Sequence, residues 1–274
     1  MLTIDIISVQ PQMLEGFLRE SIVARAVKKG ACAINIIDLK EFGLGKWKKT
    51  DDAPYGGGPG MLMRCEPWFA AVESCLGGEL GSAAGEDAHC SSDCLRQLGF
   101  ASADMRYGGA RVIMTSPAGK TFTQRDAEMF AALGTATTTD SRQPTTGNQQ
   151  PTTNSHLIFL CGHYEGFDAR IETLVTDKYS IGDFVMTGGE LAAAAMTDAI
   201  VRLLPGVLGG GPAATASESF GGEGLLEPPQ YTHPAEFRGL KVPEVLLSGD
   251  HRKIEAWRKA EAIRLTQLYR PDLI

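Results

Sequence analysis

The chain lacks most of the features that would sort it quickly. No apolar run approaches the ~20 residues needed to span a bilayer, so no membrane partner is expected. Aromatic residues make up only 7% of the 274 positions, and basic residues are outnumbered, 26 Lys and Arg against 33 Asp and Glu, for a formal charge of −7. A protein coated in basic surface is thereby excluded, and any nucleic-acid binding must rest on local patches and preformed pockets. No GxGxxG follows the first strand pattern, which argues against an ordinary dinucleotide enzyme. Paired cysteine spacing is missing too. Cys32, Cys65, Cys75, Cys90, Cys94 and Cys161 are scattered, which reads as free thiols in a reducing compartment. His89, Cys90 and Cys94 have no second ligand pair at zinc-like spacing, so no metal is expected. No secretory or transit pattern precedes Thr3. A cytoplasmic location is therefore expected, or an organellar stroma or matrix if a transit peptide has been trimmed.

What is present is an alternation of strands and helices. With 43% apolar residues the chain can bury one good core and a small second domain. Residues 3–9 and 31–39 read as strands, and residues 12–29 as a helix broken near Glu20-Ser21. Residues 66–76 form a further helix with Pro67 in its first turn. Residues 111–115, 157–161 and 184–186 read as buried strands, and 192–204 as an alanine-rich helix. Such alternation implies an α/β fold on a parallel sheet with crossover connections. Residues 77–109 and 134–154 are poor in apolar residues and periodicity, and are expected to be mobile surface insertions. Residues 206–223 are small, polar and Gly-rich, as in a flexible linker. Beyond them Ser248 or Asp250 can cap a helix carrying Ile254, Trp257, Ile263 and Leu265 on its apolar side. Two basic groupings stand out: Lys40, Lys46, Lys48 and Lys49, and the arginines and lysines from Arg238 to Arg270. Interleaved Glu255 and Glu261 make a solvated helix face the simpler reading of the second.

Three glycine-rich loops carry the strongest signal. In YSIGDFVMTGGEL (179–191), Gly182 and the pair Gly188-Gly189 surround the apolar Phe184-Val185-Met186, flanked by Asp183 and Glu190. HLIFLCGHYEGFDAR (156–170) ends an apolar strand in a charged, Gly-containing loop, and DDAPYGGGPGML (51–62) is a third. Glycines at strand ends let backbone amides and carbonyls approach a flat ligand without an intervening Cβ. A tight strand-to-helix turn accounts equally well for a lone Gly-Gly.

Together these loops resemble those of bacterial-type tRNA (guanine-N1)-methyltransferases. The matching pieces are DDAPYGGGPGMLM (51–63), SPAGKTF (116–122), CGHYEGFDAR (161–170), YSIGDFVMTGGEL (179–191), RLLPGVLG (202–209), ESFGGEGLLEPPQYTHP (218–234) and VPEVLLSGDHRKIEAWR (242–258). They stand in the family's order over most of the chain. The resemblance implies a trefoil-knotted methyltransferase domain of the SPOUT superfamily over 1–205, a linker over 206–223 and a shortened helical tRNA-binding domain over 224–274. It further implies a homodimer with shared active sites, S-adenosylmethionine as methyl donor, and methylation of the guanine just 3′ of the anticodon. A same-fold enzyme acting on another RNA site and a non-catalytic RNA-binding relative are the alternatives.

Guanine N1 carries a proton at neutral pH, so the chemistry needs a general base near N1 and cationic or donor groups near O6. By resemblance the base falls at Glu218, where the family commonly has Asp, with Glu223 as the fallback. The cation falls at Arg202, whose planar fork suits O6 or a phosphate. The cofactor positions implied are Met114, Thr115, Ser116, Gly162, Tyr164, Glu165, Ser180, Ile181, Gly182, Phe184, Met186, Gly188 and Gly189. Substrate contacts are implied at Asp51, Gly60, Glu165 and Arg202. Family members often have Arg where this chain has Ala53.

Overall fold

The computed structural model describes residues 1–77, 107, 109–134, 155–209, 215 and 218–274. The expected insertions over 77–109 and 134–154, with His89, Cys90 and Cys94, fall almost wholly outside them. Contacts divide the chain into two units, Met1–Leu208 and Gly209–Ile274.

The first unit is built on a five-stranded sheet, β1 (Leu2–Ser8), β2 (Cys32–Asp38), β5 (Arg111–Thr121), β6 (His156–Cys161) and β7 (Asp177–Ser180), in the order β2-β1-β6-β5-β7 with every pairing parallel. Strands buried on both faces read as continuous apolar runs rather than alternations. HLIFLC fits that rule, whereas LTIDIIS alternates over its first five residues and still buries Asp5 and Ser8; Leu2, Ile4, Ile6, Ile7 and Leu157–Cys161 are buried. One face packs Phe130, Ala193, Met196 and Ile200 against Ile4, Ile6 and Phe159. The other packs Trp68, Val72 and Leu174 against Val112, Met114, Ile158 and Leu160. A small hairpin, β3 (Asp51–Asp52) with β4 (Leu62–Met63), lies outside this sheet.

The helices begin and end where local chemistry dictates. Residues 12–29 form two, α1 (Gln12–Arg19) and α2 (Ser21–Lys28), because Glu20 is extended and Ser21 has φ 59°. α3 (Cys65–Leu76) stops at Gly77 in the left-handed conformation, which lacks a Cβ penalty only for glycine. α4 (Gln124–Leu133) starts with a reciprocal cap between Thr123 and Asp126. α5 (Glu190–Val201) starts earlier and ends earlier than the alanine-rich pattern suggests.

One expected strand is absent. Phe184–Met186 is irregular, with Phe184 and Val185 exposed, and the strand that pairs with β5 is Asp177–Ser180 instead. The apolar triplet misled because its side chains line a cleft rather than fill a core. β5 also runs past Thr115 through a register shift to Thr121, beyond the expected end.

The second unit holds a short hairpin, β8 (Glu236–Phe237) with β9 (Leu240–Lys241), a one-turn helix α6 (Glu244–Leu247) and the long α7 (His251–Tyr269). Asp250 caps α7 by accepting from the Lys253 amide. Ile254, Trp257, Ile263 and Leu265 are half-buried, while Ala262 and Thr266 are buried. The Thr266 hydroxyl donates to the Ala262 carbonyl and accepts from the Leu226 amide, tying the incoming segment to the helix.

Candidate active site

The register shift in β5 after Thr115 and the carboxyl ends of β6 and β7 lie together, near where open parallel sheets put their ligands. A cleft forms there whose walls include every expected cofactor position except Met114 and Gly182. Met114 is buried in the sheet behind it, and Gly182 holds the 180–182 turn, its carbonyl accepting from the Ser180 hydroxyl at 2.8 Å. Pro117, His163, Phe167, Tyr179, Thr187 and Ala192 also line the cleft; all but Ala192 lie inside the quoted motifs but were not singled out as contacts.

Backbone forms much of the wall. The Gly189 amide donates to the Gly162 carbonyl at 2.8 Å, and His163 bridges Gly188 in antiparallel fashion. A Cβ at Gly189 would overlap Thr115 Oγ1 and approach Cys161 Cα at 3.0 Å. One at Gly188 would overlap Glu190 Oε2 and reach the His163 ring at 2.6 Å. Only glycine lets these two loops close on each other. The sides carry rings: Tyr164, with φ 58°, and Phe184 are each about half exposed.

Beneath the cleft lies a polar cluster that the sequence reading missed. The Ser8 hydroxyl donates to Glu190 Oε1 at 2.6 Å, and His163 Nδ1 stands 3.4 Å from the same oxygen. Glu190 is fully buried, and among the described residues neither its Oε2 nor His163 Nδ1 finds a hydrogen-bond partner. A buried carboxylate is costly unless compensated. Here the compensation is the Ser8 hydroxyl and the first turn of α5, where the helix dipole favours negative charge. The signal was available: an acid directly between Gly-Gly and an apolar helix has little access to water.

Asp168 and Asp126 are held in their charged forms. Arg170 donates to Asp168 from Nε at 2.9 Å and Nη2 at 2.8 Å, which keeps Asp168 well below the usual carboxylate range. Burial, then the hydrogen bond to Asp168, pushes the neighbouring Cys65 thiol up to about 11. Burial alone would raise Asp126, but hydrogen bonds from Lys120, Thr123 and Tyr179 outweigh it and hold the group below its ordinary value. Tyr179 is raised in turn, by burial and by that bond.

The expected substrate positions fall in three places. Glu165 lines the cleft, its amide bonded to the Met61 carbonyl at 3.1 Å. Gly60 lies against it, close enough that a Cβ would overlap the Glu165 carboxylate. Asp51 sits near Tyr164, whose hydroxyl is raised by burial and by that charge. Arg202 is half-buried at the C-terminal end of α5, outside the cleft lining. Glu218 belongs to the second unit, where it lines a groove with Glu223, Gln230, His251, Arg252, Arg258 and Lys259. Glu223, the fallback base, pairs with Lys259 at 2.9 Å.

The tRNA (Guanine-1)-methyltransferase TrmD family pattern matches residues 2–82 and 135–274. The chain belongs to that family. Among similar curated proteins, the tRNA (guanine-N(1)-)-methyltransferase of Anaeromyxobacter sp. (strain K) is 44% identical over 272 residues, 99% of this chain and 90% of the relative. That of Geobacillus kaustophilus (strain HTA426) is 43% identical over 272 residues, 99% and 91% respectively. The family match spans two of the cleft's three loops, and the pairwise similarity extends over nearly all of the chain, β5 included.

Proposed function

We propose that this chain methylates N1 of the guanine just 3′ of the anticodon in tRNA, with S-adenosylmethionine as donor. The observation that carries the reading is the glycine-walled cleft at the ends of β5, β6 and β7, in a chain whose relatives bear the name tRNA (guanine-N(1)-)-methyltransferase. The cleft fits such a donor. Its walls offer backbone amides and carbonyls where no Cβ intrudes, flanked by the Tyr164 and Phe184 rings, as recognition of a flat purine requires. S-adenosylmethionine supplies a methyl group already activated on a sulfonium, so the protein's task is binding, alignment and proton removal.

In this reading Glu218 removes the N1 proton and Arg202 supports negative charge at O6. Asp51, Gly60 and Glu165 contact the target nucleotide. The enzyme works as a homodimer, with Glu218 acting on substrate at the partner's cleft, and residues 224–274 form a helical tRNA-binding domain joined by a linker over 206–223. A trefoil knot through the loops after β5, β6 and β7 belongs to the same proposal. A Cβ placed on Gly119 would come within 2.5–2.7 Å of the Tyr179 backbone and one on Gly189 within 3.0 Å of Cys161 Cα, close approaches between these segments that support the reading.

The test is methyl transfer from radiolabelled S-adenosylmethionine to tRNA transcripts with and without guanine after the anticodon. Label only in the first supports the proposal. Label in both points to another RNA site, and label in neither to a non-catalytic relative. Glu218→Gln should retain binding of both substrates and lose roughly 10²–10⁴-fold in single-turnover rate. Glu218→Asp should be tolerated, and Arg202→Lys should be severe because an ammonium cannot reproduce a two-point planar contact. An unchanged rate in Glu218→Gln would remove it as the base.

A further inference from the structure

Trp47 is 80% exposed, in a chain where Trp68 is fully buried and Trp257 half-buried. A large apolar ring left in water at one place needs a reason, and its setting supplies one. Leu44 and Lys49 exchange both backbone hydrogen bonds, at 2.9 and 3.0 Å, and the Lys48 amide bonds the Gly45 carbonyl at 3.1 Å. These close a tight hairpin with Gly45-Lys46-Trp47-Lys48 at its tip. Lys48 has φ 49°, and Gly43 packs so closely on the Lys48 backbone that no Cβ would fit. The tip is thus fixed by its own backbone rather than by packing of its side chains. It presents one ring among Lys46, Lys48 and Lys49, with Lys46 Nζ 5.6 Å from the ring centroid. No acid stands between Phe42 and Thr50, although the whole chain carries −7.

The hairpin is also tied to the cleft. Thr50, next in sequence, is buried, and its carbonyl accepts from the Arg64 amide at 2.9 Å. Asp51–Asp52 then pairs with Leu62–Met63, and Met63 exchanges backbone bonds with Gly166 and Asp168 of the loop after β6. A short run of hydrogen-bonded backbone therefore holds the tip in register with the cleft wall at Glu165.

We propose that Trp47 is a stacking platform for an unpaired base of the tRNA, with Lys46, Lys48 and Lys49 on the adjoining phosphates. An exposed aromatic stacks on any base face, while lysines neutralise backbone charge without reading sequence. Pre-ordering of the tip removes an entropic cost of binding. The inference rests on tRNA being the substrate, and it assigns residues that the glycine loops do not.

The experiment compares full-length wild type, Trp47→Ala and Trp47→Phe for binding of an unmodified tRNA transcript. Trp47→Ala should weaken binding roughly tenfold, within the usual worth of one base–aromatic stack. Trp47→Phe should keep most of the affinity. S-adenosylmethionine binding by calorimetry and Tm should stay as in wild type. In a Trp257→Phe background, tRNA should quench the tryptophan emission, and Trp47→Ala should abolish that quench. Each of Lys46→Ala, Lys48→Ala and Lys49→Ala should flatten the salt dependence of log K by about 0.7–0.9. Unchanged tRNA affinity in Trp47→Ala overturns the proposal. So does a loss of affinity that tracks a change in sedimenting mass, which would make Trp47 a subunit contact. Because binding is read without turnover, the two readings fail separately. Trp47-dependent binding of a tRNA that is never methylated sinks the proposed function alone, and normal methylation with an indifferent Trp47 sinks this inference alone.

Discussion

Replacing Gly189 by alanine adds one methyl group and should do disproportionate harm. The added Cβ would overlap Thr115 Oγ1, stand 3.0 Å from Cys161 Cα and lie 3.1 Å from the Gly162 amide nitrogen. Two of these neighbours are backbone in a packed sheet end and cannot turn away. The third is held because Thr115 Oγ1 donates to the Leu160 carbonyl at 2.9 Å. Displacing that buried hydroxyl forfeits about 1–3 kcal/mol, and forcing a methyl against fixed backbone costs about 1–3 kcal/mol more. The sum, roughly 2–6 kcal/mol, is a large share of a total stability of about 5–15 kcal/mol. Urea unfolding should show a lower midpoint at unchanged slope, and calorimetry should show no binding of S-adenosylmethionine. Thr115→Ala removes the overlapping oxygen but not the backbone contacts, so it should recover part of the loss. A double-mutant cycle should then report a coupling of about 1–2 kcal/mol. Gly16→Ala is the control. Gly16 lies within α1 with open space where a Cβ would stand, so alanine there should stabilise by about 0.5–1 kcal/mol. If Gly189→Ala matches wild type in both midpoint and binding, the account of these loops as closed by glycine alone is wrong.

Three other outcomes follow from contacts already described. Ser8→Ala strips the fully buried Glu190 of its hydroxyl donor and should cost about 1.5–3 kcal/mol by thermal or urea unfolding, whereas a change under about 0.5 kcal/mol would mean another donor serves that carboxylate. Asp126 is held below its ordinary value in the folded state, so its contribution is present above the unfolded carboxylate pKa of about 3.9 and is lost as pH falls through the folded value. Asp126→Asn should therefore lower stability at pH 7 and narrow its gap from wild type toward pH 2, and a gap of constant size would refute the linkage. Finally, Ser155 donates its hydroxyl to the Leu133 carbonyl, which places the two ends of the 135–154 stretch side by side. Joining Gly134 to Ser155 by a short Gly-Ser turn should leave Tm and turnover nearly unchanged, since closure entropy varies slowly with loop length, and a large loss of either would show that the deleted stretch packs or binds.

The parallel sheet was legible because strand patterns alternate with helix patterns along the chain, which calls for crossover connections, and HLIFLC is apolar enough to be covered on both faces. The helix break expected near Glu20-Ser21 is where the structure has it. Phe184-Val185-Met186 was not, because a triplet lining a cleft has the same composition as one filling a core. The loops that wall the cleft were picked out through glycine, whose missing side chain marks close backbone approach. The cluster around Glu190 escaped because its hydroxyl donor, Ser8, lies at the end of the first strand, far away in sequence from Glu190 and His163. Trp47 was equally silent, since only the fold reveals which of three tryptophans is left in water.

The position of β1 within the sheet bears on how the chain is made. Its Thr3–Ile7 segment pairs on one side with Ala33–Ile37, nearby in sequence, but on the other with His156–Leu160. A ribosome adding about 5–20 residues per second needs roughly 8–30 s to bridge that gap. For that interval one edge of an isoleucine-rich strand has no native neighbour, and contacts of such long sequence separation form slowly in any case. The feature that seats Ser8 beneath the cleft thus also leaves the nascent chain with an unpaired apolar edge, and synthesis in a chaperone-depleted extract should show it as aggregation of chains stopped before residue 156 and much less of chains released after residue 208.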